Sequence, residues 1–184
     1  MQPLRYNRNT LFTDDLLYQY MLESDIQEVK TLCITDKNAS KLCNETFWTQ
    51  KMMYDDLPIY KTPSMTEYQR VIEAVHQANQ IDLNRFIINI TLNESVMVLF
   101  NHIRLNEDAI NELEYYDASL YQTHHIRIGG EQNSYDIFIN AILHNNTADF
   151  FLLRFNKEDI HQILINLFYY YPHVGYNATR YITY

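Results

Sequence analysis

Two cysteines are the first residues of this sequence whose type could support chemistry. Cys33 and Cys43 each follow a leucine, in segments where apolar residues recur at helical spacing. A cysteine attacks as the thiolate, and apolar surroundings hold the thiol in its protonated, unreactive form. Since Met1 to Tyr6 shows no signal-peptide pattern, we expect a reducing compartment. We therefore predict two reduced core thiols and no disulfide.

Histidines offer a second candidate site. His124 or His125 could pair with His144 as metal ligands across neighbouring strands. Adjacent residues on a strand point to opposite faces, so at most one of the two can share a site with His144. Because two nitrogens without a third ligand bind a metal weakly, we predict surface histidines, no metal and no cofactor.

The signatures of common enzyme classes do not occur in the sequence. It has no glycine-rich phosphate loop, no Gly-x-Ser-x-Gly nucleophile motif and no His-Glu-x-x-His zinc motif. With 3 Gly in all, the chain has little means of wrapping backbone amides around a phosphate. The sequence therefore predicts a protein that is not an enzyme.

The charge balance argues against polyanionic partners. The formal charge of -9 over 184 residues repels phosphate backbones and anionic membranes. Basic residues are spread singly, and no apolar run approaches the ~18 residues that a membrane-spanning helix needs. Carboxylates cluster between Leu105 and Asp117; we interpret them as a solvated helix face, with an acidic docking surface as the alternative. We expect no nucleic-acid and no membrane partner.

Tyrosines near the end of the chain form another unusual set. If these tyrosines stacked on nucleic-acid bases, a groove of Lys and Arg side chains would have to surround the tyrosines. Few Lys and Arg residues lie nearby in the sequence. Aromatic packing over a sheet is one interpretation. A protein-binding or self-association patch is the other, because Tyr is enriched in interface hot spots. The residues of this candidate partner-binding patch are Tyr169, Tyr170, Tyr171 and Tyr176.

A compact helical segment, Asp14 to Asp56, is the first element that would position such side chains. It contains the only Trp and both Cys of the chain. Three short helices would bury its apolar residues, with Trp48 as a large anchor of the core. These residues, at helical spacing, are Leu16, Leu17, Tyr20 and Met21, followed by Ile26, Val29, Leu32 and Cys33.

The order of these features resembles the F-box, in particular the divergent F-box-like domains encoded by large DNA viruses. In that family the domain binds the Skp adaptor of a cullin-type ubiquitin ligase, and the rest of the chain holds the protein to be ubiquitinated. The resemblance implies a three-helix F-box-like module over residues 11–60. The features that carry it are Asp14-Asp15-Leu16-Leu17, Asp25-Ile26, Val29, Leu32-Cys33, Leu42-Cys43 and Phe47-Trp48.

The resemblance also implies where a Skp-type adaptor would bind. In the family this contact is largely apolar and is built from the opening segment and the helices beside it. The protein would then be intracellular, in the host cytoplasm if the source is viral. Carried over to this chain, the adaptor-binding residues are Phe12, Leu16, Leu17, Tyr20, Ile26 and Leu32.

A second domain is predicted over residues 64–184, after prolines that interrupt helix at Pro58 and Pro63. Arg85 to Leu92 predicts a strand. The segments His125–Ile128, Tyr135–Leu143 and Asp149–Phe155 predict an antiparallel meander, with a turn over residues 129–133. Residues 156–159 predict the capped start of a C-terminal helix. The sequence thus predicts an α+β fold with a small antiparallel sheet and a C-terminal helix.

Two functions from different classes follow. The first is a non-enzymatic adaptor that recruits an unknown target protein to a Skp/cullin-type ubiquitin ligase. The second is a structural or virion-associated viral protein, which could be a homodimer, that keeps the helical fold without ligase binding. Phe12-Thr13 stands where the family has Leu-Pro, which favours the second function, whereas Asp14–Leu17 and Phe47-Trp48 favour the first.

Overall fold

The structure, a computed structural model of the whole chain, describes residues 14–92, 96–103, 123–142 and 150–174. Its contacts divide the chain into two compact units, Met1–Ile72 and Glu73–Tyr184. Helices make up the described part of the first unit, and the second contains an antiparallel sheet followed by a helix. The predicted α+β class is confirmed. The division between the units falls after Ile72, inside the helix Met65–Asn79. The sequence predicts the boundary earlier, between residues 60 and 64.

Capping side chains at Asp25, Asp36, Asn44 and Ser64 begin the second to the fifth of the helices described in the first unit. These helices are α1 (Asp14–Glu23), α2 (Ile26–Thr35), α3 (Lys37–Leu42), α4 (Glu45–Tyr54) and α5 (Met65–Asn79), and α5 continues into the second unit. Within residues 14–57 four helices therefore precede Pro58, where the sequence predicts three. The reason is Asp36, which ends α2 and then accepts hydrogen bonds from the backbone N–H groups of Asn38 and Ala39, so that a new helix begins.

Trp48 lies in the core of the helical unit, as the sequence predicts. Its ring packs edge to face on the ring of Phe47, with 5.1 Å between the ring centroids. The ring centroid of Tyr68 lies 5.8 Å from that of Trp48. Met21, Val29 and Met52 are also fully buried. Because Tyr68 belongs to α5, the first turns of this helix pack with the helical unit.

The sheet of the second unit has four antiparallel strands in chain order. They are β1 (Arg85–Leu92), β2 (Thr123–Glu131), β3 (Ser134–Ile142) and β4 (Phe150–Phe155). The central rung pairs Ile88, Ile128, Ile137 and Leu153, all of them buried. Since neighbouring residues of a strand alternate between faces, this register places one apolar face of the sheet inward.

The β2–β3 turn differs from the predicted one. Gln132 and Asn133 form it, both with a left-handed backbone (φ 49° and 69°), and Glu131 pairs with Ser134 beside them. Gly129 and Gly130 belong to β2 instead. A Cβ on Gly130 would lie only 2.5 Å from Cε1 of Phe86, so the glycine serves packing and not the turn.

A 3₁₀ helix (Val96–Phe100) and α6 (Lys157–Tyr170) complete the second unit. Asn156 caps α6 by accepting the backbone N–H of Asp159, as predicted. The buried amide of Asn166 donates to the carbonyls of Leu99 (2.8 Å) and Asn101 (2.7 Å), which fixes α6 against the 3₁₀ helix. The same helix contacts β3, so α6 lies on the inward face of the sheet.

Candidate functional site

The six predicted adaptor-binding residues do not share one surface. Leu17, Tyr20 and Leu32 are buried and belong to the core of the helical unit. Their assignment as contact residues is therefore corrected, because at helical spacing they face the other helices and pack in the core. Ile26 is half-buried, and Phe12 lies outside the described residues.

Leu16 is the predicted contact residue that the structure leaves clearly accessible. It lies on α1 with 56% of its surface exposed, directly before the buried Leu17. Among the described residues of the helical unit, three further large apolar side chains are more than half exposed. They are Ile34 on α2 and Met53 and Tyr54 on α4. The sequence did not single out these three residues, because α2 and α4 contain both buried and exposed apolar residues.

The cysteines form a disulfide, which corrects the prediction of reduced core thiols. Cys33 on α2 and Cys43, the C-cap of α3, are half-buried, and their Cα atoms lie 5.9 Å apart. The chain reversal at Asp36 packs α3 against α2 and brings the two side chains together. Spacing along the sequence alone could not reveal this approach, because it depends on how the two helices cross.

Lys51 and Asp55 form a largely buried ion pair in the helical unit. Lys51 is 2% exposed; its Nζ donates to the carbonyl of Leu22 at 2.8 Å and lies 2.9 Å from Oδ2 of Asp55. The hydroxyl of Tyr68 donates to the same carboxylate, and burial together with this contact raises the pKa of Tyr68 far above its usual range. These bonds join α1, α4 and α5, so the cluster has a structural role.

The predicted tyrosine patch is only partly at the surface. Tyr169 is fully buried in α6 and contacts the ring of Tyr170 edge to face at 4.8 Å, so its assignment to a partner-binding patch is corrected. It packs inward because α6 lies against the sheet. Tyr170 and Tyr171 are half-buried, and Tyr170 accepts a hydrogen bond from the amide of Asn101. Tyr176 lies outside the described residues.

The two adjacent histidines of β2 face opposite sides of the sheet, as the alternation predicts. His124 is buried, which corrects its assignment as a surface histidine, and burial lowers its pKa. His125 is exposed and lies 2.9 Å from the hydroxyl of Thr91, within hydrogen-bond distance. His144 and the carboxylates between Leu105 and Asp117 lie outside the described residues. Within the described residues, no group of three metal-ligating side chains occurs.

The outward face of the sheet carries a mixed polar and aromatic surface, which we call the open face. Its middle rung places Asn89, Arg127 and Phe138 side by side on β1, β2 and β3. The guanidinium carbon of Arg127 lies 5.8 Å from the ring centroid of Phe138. On the rung toward the β2–β3 turn, Nε of Arg154 donates to Oδ1 of Asp136 at 3.0 Å.

A shallow depression of about 380 Å³ lies over the middle rung of the open face. Asn89, Thr91, His125, Arg127 and Phe138 line it. Sequence analysis missed this surface. The alternation of buried and outward residues could be read from β1, where Phe86, Ile88 and Ile90 are the buried ones. Which residues of β2 and β3 share the outward face becomes known only from the strand register.

Comparisons with known proteins identify no relative of this chain. No family model, no curated protein and no solved structure matches it. No helix in the described part of the chain has the length and apolar character needed to cross a membrane.

Proposed function

We propose that this protein is a non-enzymatic adaptor. The helical unit binds a Skp-type adaptor of a cullin ubiquitin ligase, and the second unit holds the protein to be ubiquitinated. The proposal includes a cytoplasmic location, in the host cell if the source is viral. It rests on the F-box-like order of Asp14–Leu17, Leu32-Cys33, Leu42-Cys43 and Phe47-Trp48, and on the accessible surface of the helical unit.

The observation that carries the proposal is the exposure of Leu16. Leu16 is not among the buried core residues of the helical unit, which include Met21, Phe47 and Met52. When a partner covers the exposed part of such an apolar side chain, the free energy of the complex is lowered. Ile34, 67% exposed on α2, offers a second such side chain.

The test is calorimetric titration of the full chain with a purified Skp-type adaptor. We expect binding with a Kd on the order of tens of micromolar or tighter. Leu16→Asp should abolish it, because a carboxylate in a desolvated interface costs several kcal/mol. Ile87→Asp is the matched control: it makes the same change at an exposed position of the second unit and should bind like the wild type.

The titration is run with the cysteines oxidised and reduced, because cullin ligases work where thiols are reduced. Absence of wild-type binding in both states contradicts the proposal, as does unchanged binding by Leu16→Asp. The structural alternative has its own readout: a homodimer without ligase binding would show a concentration-dependent mass in light scattering and no heat with the Skp-type adaptor.

A further inference from the structure

The open face carries a positive charge that the described part of the chain leaves without an ionic partner. Arg127 stands on the middle rung between Asn89 and Phe138. The acidic residue of the neighbouring rung, Asp136, is already bonded to Arg154. Within the described residues Arg127 forms no salt bridge, although the chain as a whole has a formal charge of -9. The complement of this position is a negative group.

The surroundings of Arg127 indicate the size and shape of that group. Phe138 is 37% exposed, and its ring centroid lies 5.8 Å from the guanidinium carbon of Arg127, within the range of a cation–π contact. A guanidinium binds a carboxylate through paired N–H donors. Asn89 and His125 line the same depression and add hydrogen-bonding groups. Ile87, 40% exposed on the next rung, adds an apolar contact. The surface therefore matches a carboxylate beside an apolar or aromatic side chain.

We propose that the open face, and not the tyrosines at the end of α6, captures the target protein by binding an acidic segment of it. A carboxylate of the segment meets Arg127, and a neighbouring aromatic or apolar side chain packs on Phe138 and Ile87. This inference rests on the proposed adaptor function. A nucleic acid fits less well, because one uncompensated arginine matches one carboxylate, whereas a phosphate backbone needs several cations.

The experiment is an NMR titration of the full chain, labelled with ¹⁵N, with a short acidic peptide that has a central tyrosine. The control peptide carries amides in place of the carboxylates. We expect the acidic peptide alone to shift the amide signals of Asn89, Arg127 and Phe138, with a Kd on the order of 10–100 micromolar. The affinity should fall as salt is added, because the contact is exposed and charged.

Two arginine variants separate a specific contact from general charge. Arg127→Gln should weaken peptide binding about tenfold, the loss of roughly one charged hydrogen-bonded contact. Arg70→Gln removes the same charge from an exposed position of α5, outside the open face, so peptide binding should stay within about twofold. Thermal melts of both variants confirm that the fold is intact.

Four outcomes would overturn the inference. They are the absence of acidic-peptide binding, equal weakening by the two arginine variants, tighter binding of a single-stranded oligonucleotide than of the peptide, and a homodimer that Phe138→Asp dissociates. The titration with the Skp-type adaptor uses Leu16 on the other unit, so the two proposals fail separately. Peptide binding without Skp binding would leave the open face as a peptide site and remove the ligase function.

Discussion

Individual residues show most clearly how burial decides a role. Trp48 touches Phe47 and Tyr68 and is almost fully buried. We predict that Trp48→Ala lowers the free energy of unfolding of the helical unit by about 3–5 kcal/mol, because the change leaves a large cavity. Chemical denaturation followed by circular dichroism measures this loss. Trp48→Phe, which keeps a ring in place, is the control and should cost clearly less; equal losses would contradict a packing role.

His124 makes stability depend on pH. Burial lowers the pKa of His124 in the folded chain below the usual 6.5. As the pH falls, His124 is therefore protonated more readily in the unfolded chain than in the folded chain. This contribution is present above about pH 6.5 and is lost as the pH falls below it. His161 acts in the same direction, because burial and then the charge of Lys157 lower its pKa.

We predict that the melting temperature of the wild type falls between about pH 7.5 and 5.5, and that His124→Gln makes this fall shallower. His161→Gln should also make this fall shallower, because burial and the charge of Lys157 lower the pKa of His161. A slope that is unchanged in His124→Gln would mean that other groups carry the pH dependence.

Strand β2 contains a pair of neighbouring glycines with different environments. A Cβ on Gly130 would lie 2.5 Å from Phe86 and 2.7 Å from Tyr135, both buried, whereas the nearest atom to a Cβ on Gly129 is the Phe86 carbonyl oxygen at 3.7 Å. We predict that Gly130→Ala destabilises the sheet unit by about 1–3 kcal/mol through overcrowding. Gly129→Ala should change stability by less than about 0.5 kcal/mol. Equilibrium denaturation of the pair of variants checks both values, and similar losses would contradict the packing.

The disulfide between α2 and the end of α3 constrains the unfolded helical unit. A closed loop of this length contributes about 3 kcal/mol in the chain-entropy account. We predict that a dithiol reductant lowers the melting temperature of the wild type and leaves a Cys33→Ser, Cys43→Ser double variant unchanged. A wild-type melting temperature that does not respond to reductant would contradict the bond.

At the scale of the whole molecule, the predictable features are those that the local sequence determines. The class, the bounds of β1 from Arg85 to Leu92 and the cap of α6 at Asn156 follow from alternation and capping chemistry. The disulfide and the place of Gly130 in β2 could not be predicted in this way. Both depend on which elements meet in space. From the sequence alone a glycine such as Gly130 suggests a turn, and its packing role becomes clear only from its contacts with Phe86 and Tyr135.

The meander order of the sheet has a consequence for the rate at which its parts form. Strands β2 and β3 are joined by the two residues Gln132 and Asn133, and such hairpins form within roughly 1–10 μs. Pairing β1 with β2 requires closing a loop that spans residues 93–122. Closing this loop costs more chain entropy than closing the two-residue β2–β3 connection, and this cost precedes the contacts that stabilise the pair. The β2–β3 hairpin should therefore be structured in the folding transition state, and β1 should dock afterwards. Substitutions in Ile137 would then slow folding, whereas those in Ile88 would mainly accelerate unfolding.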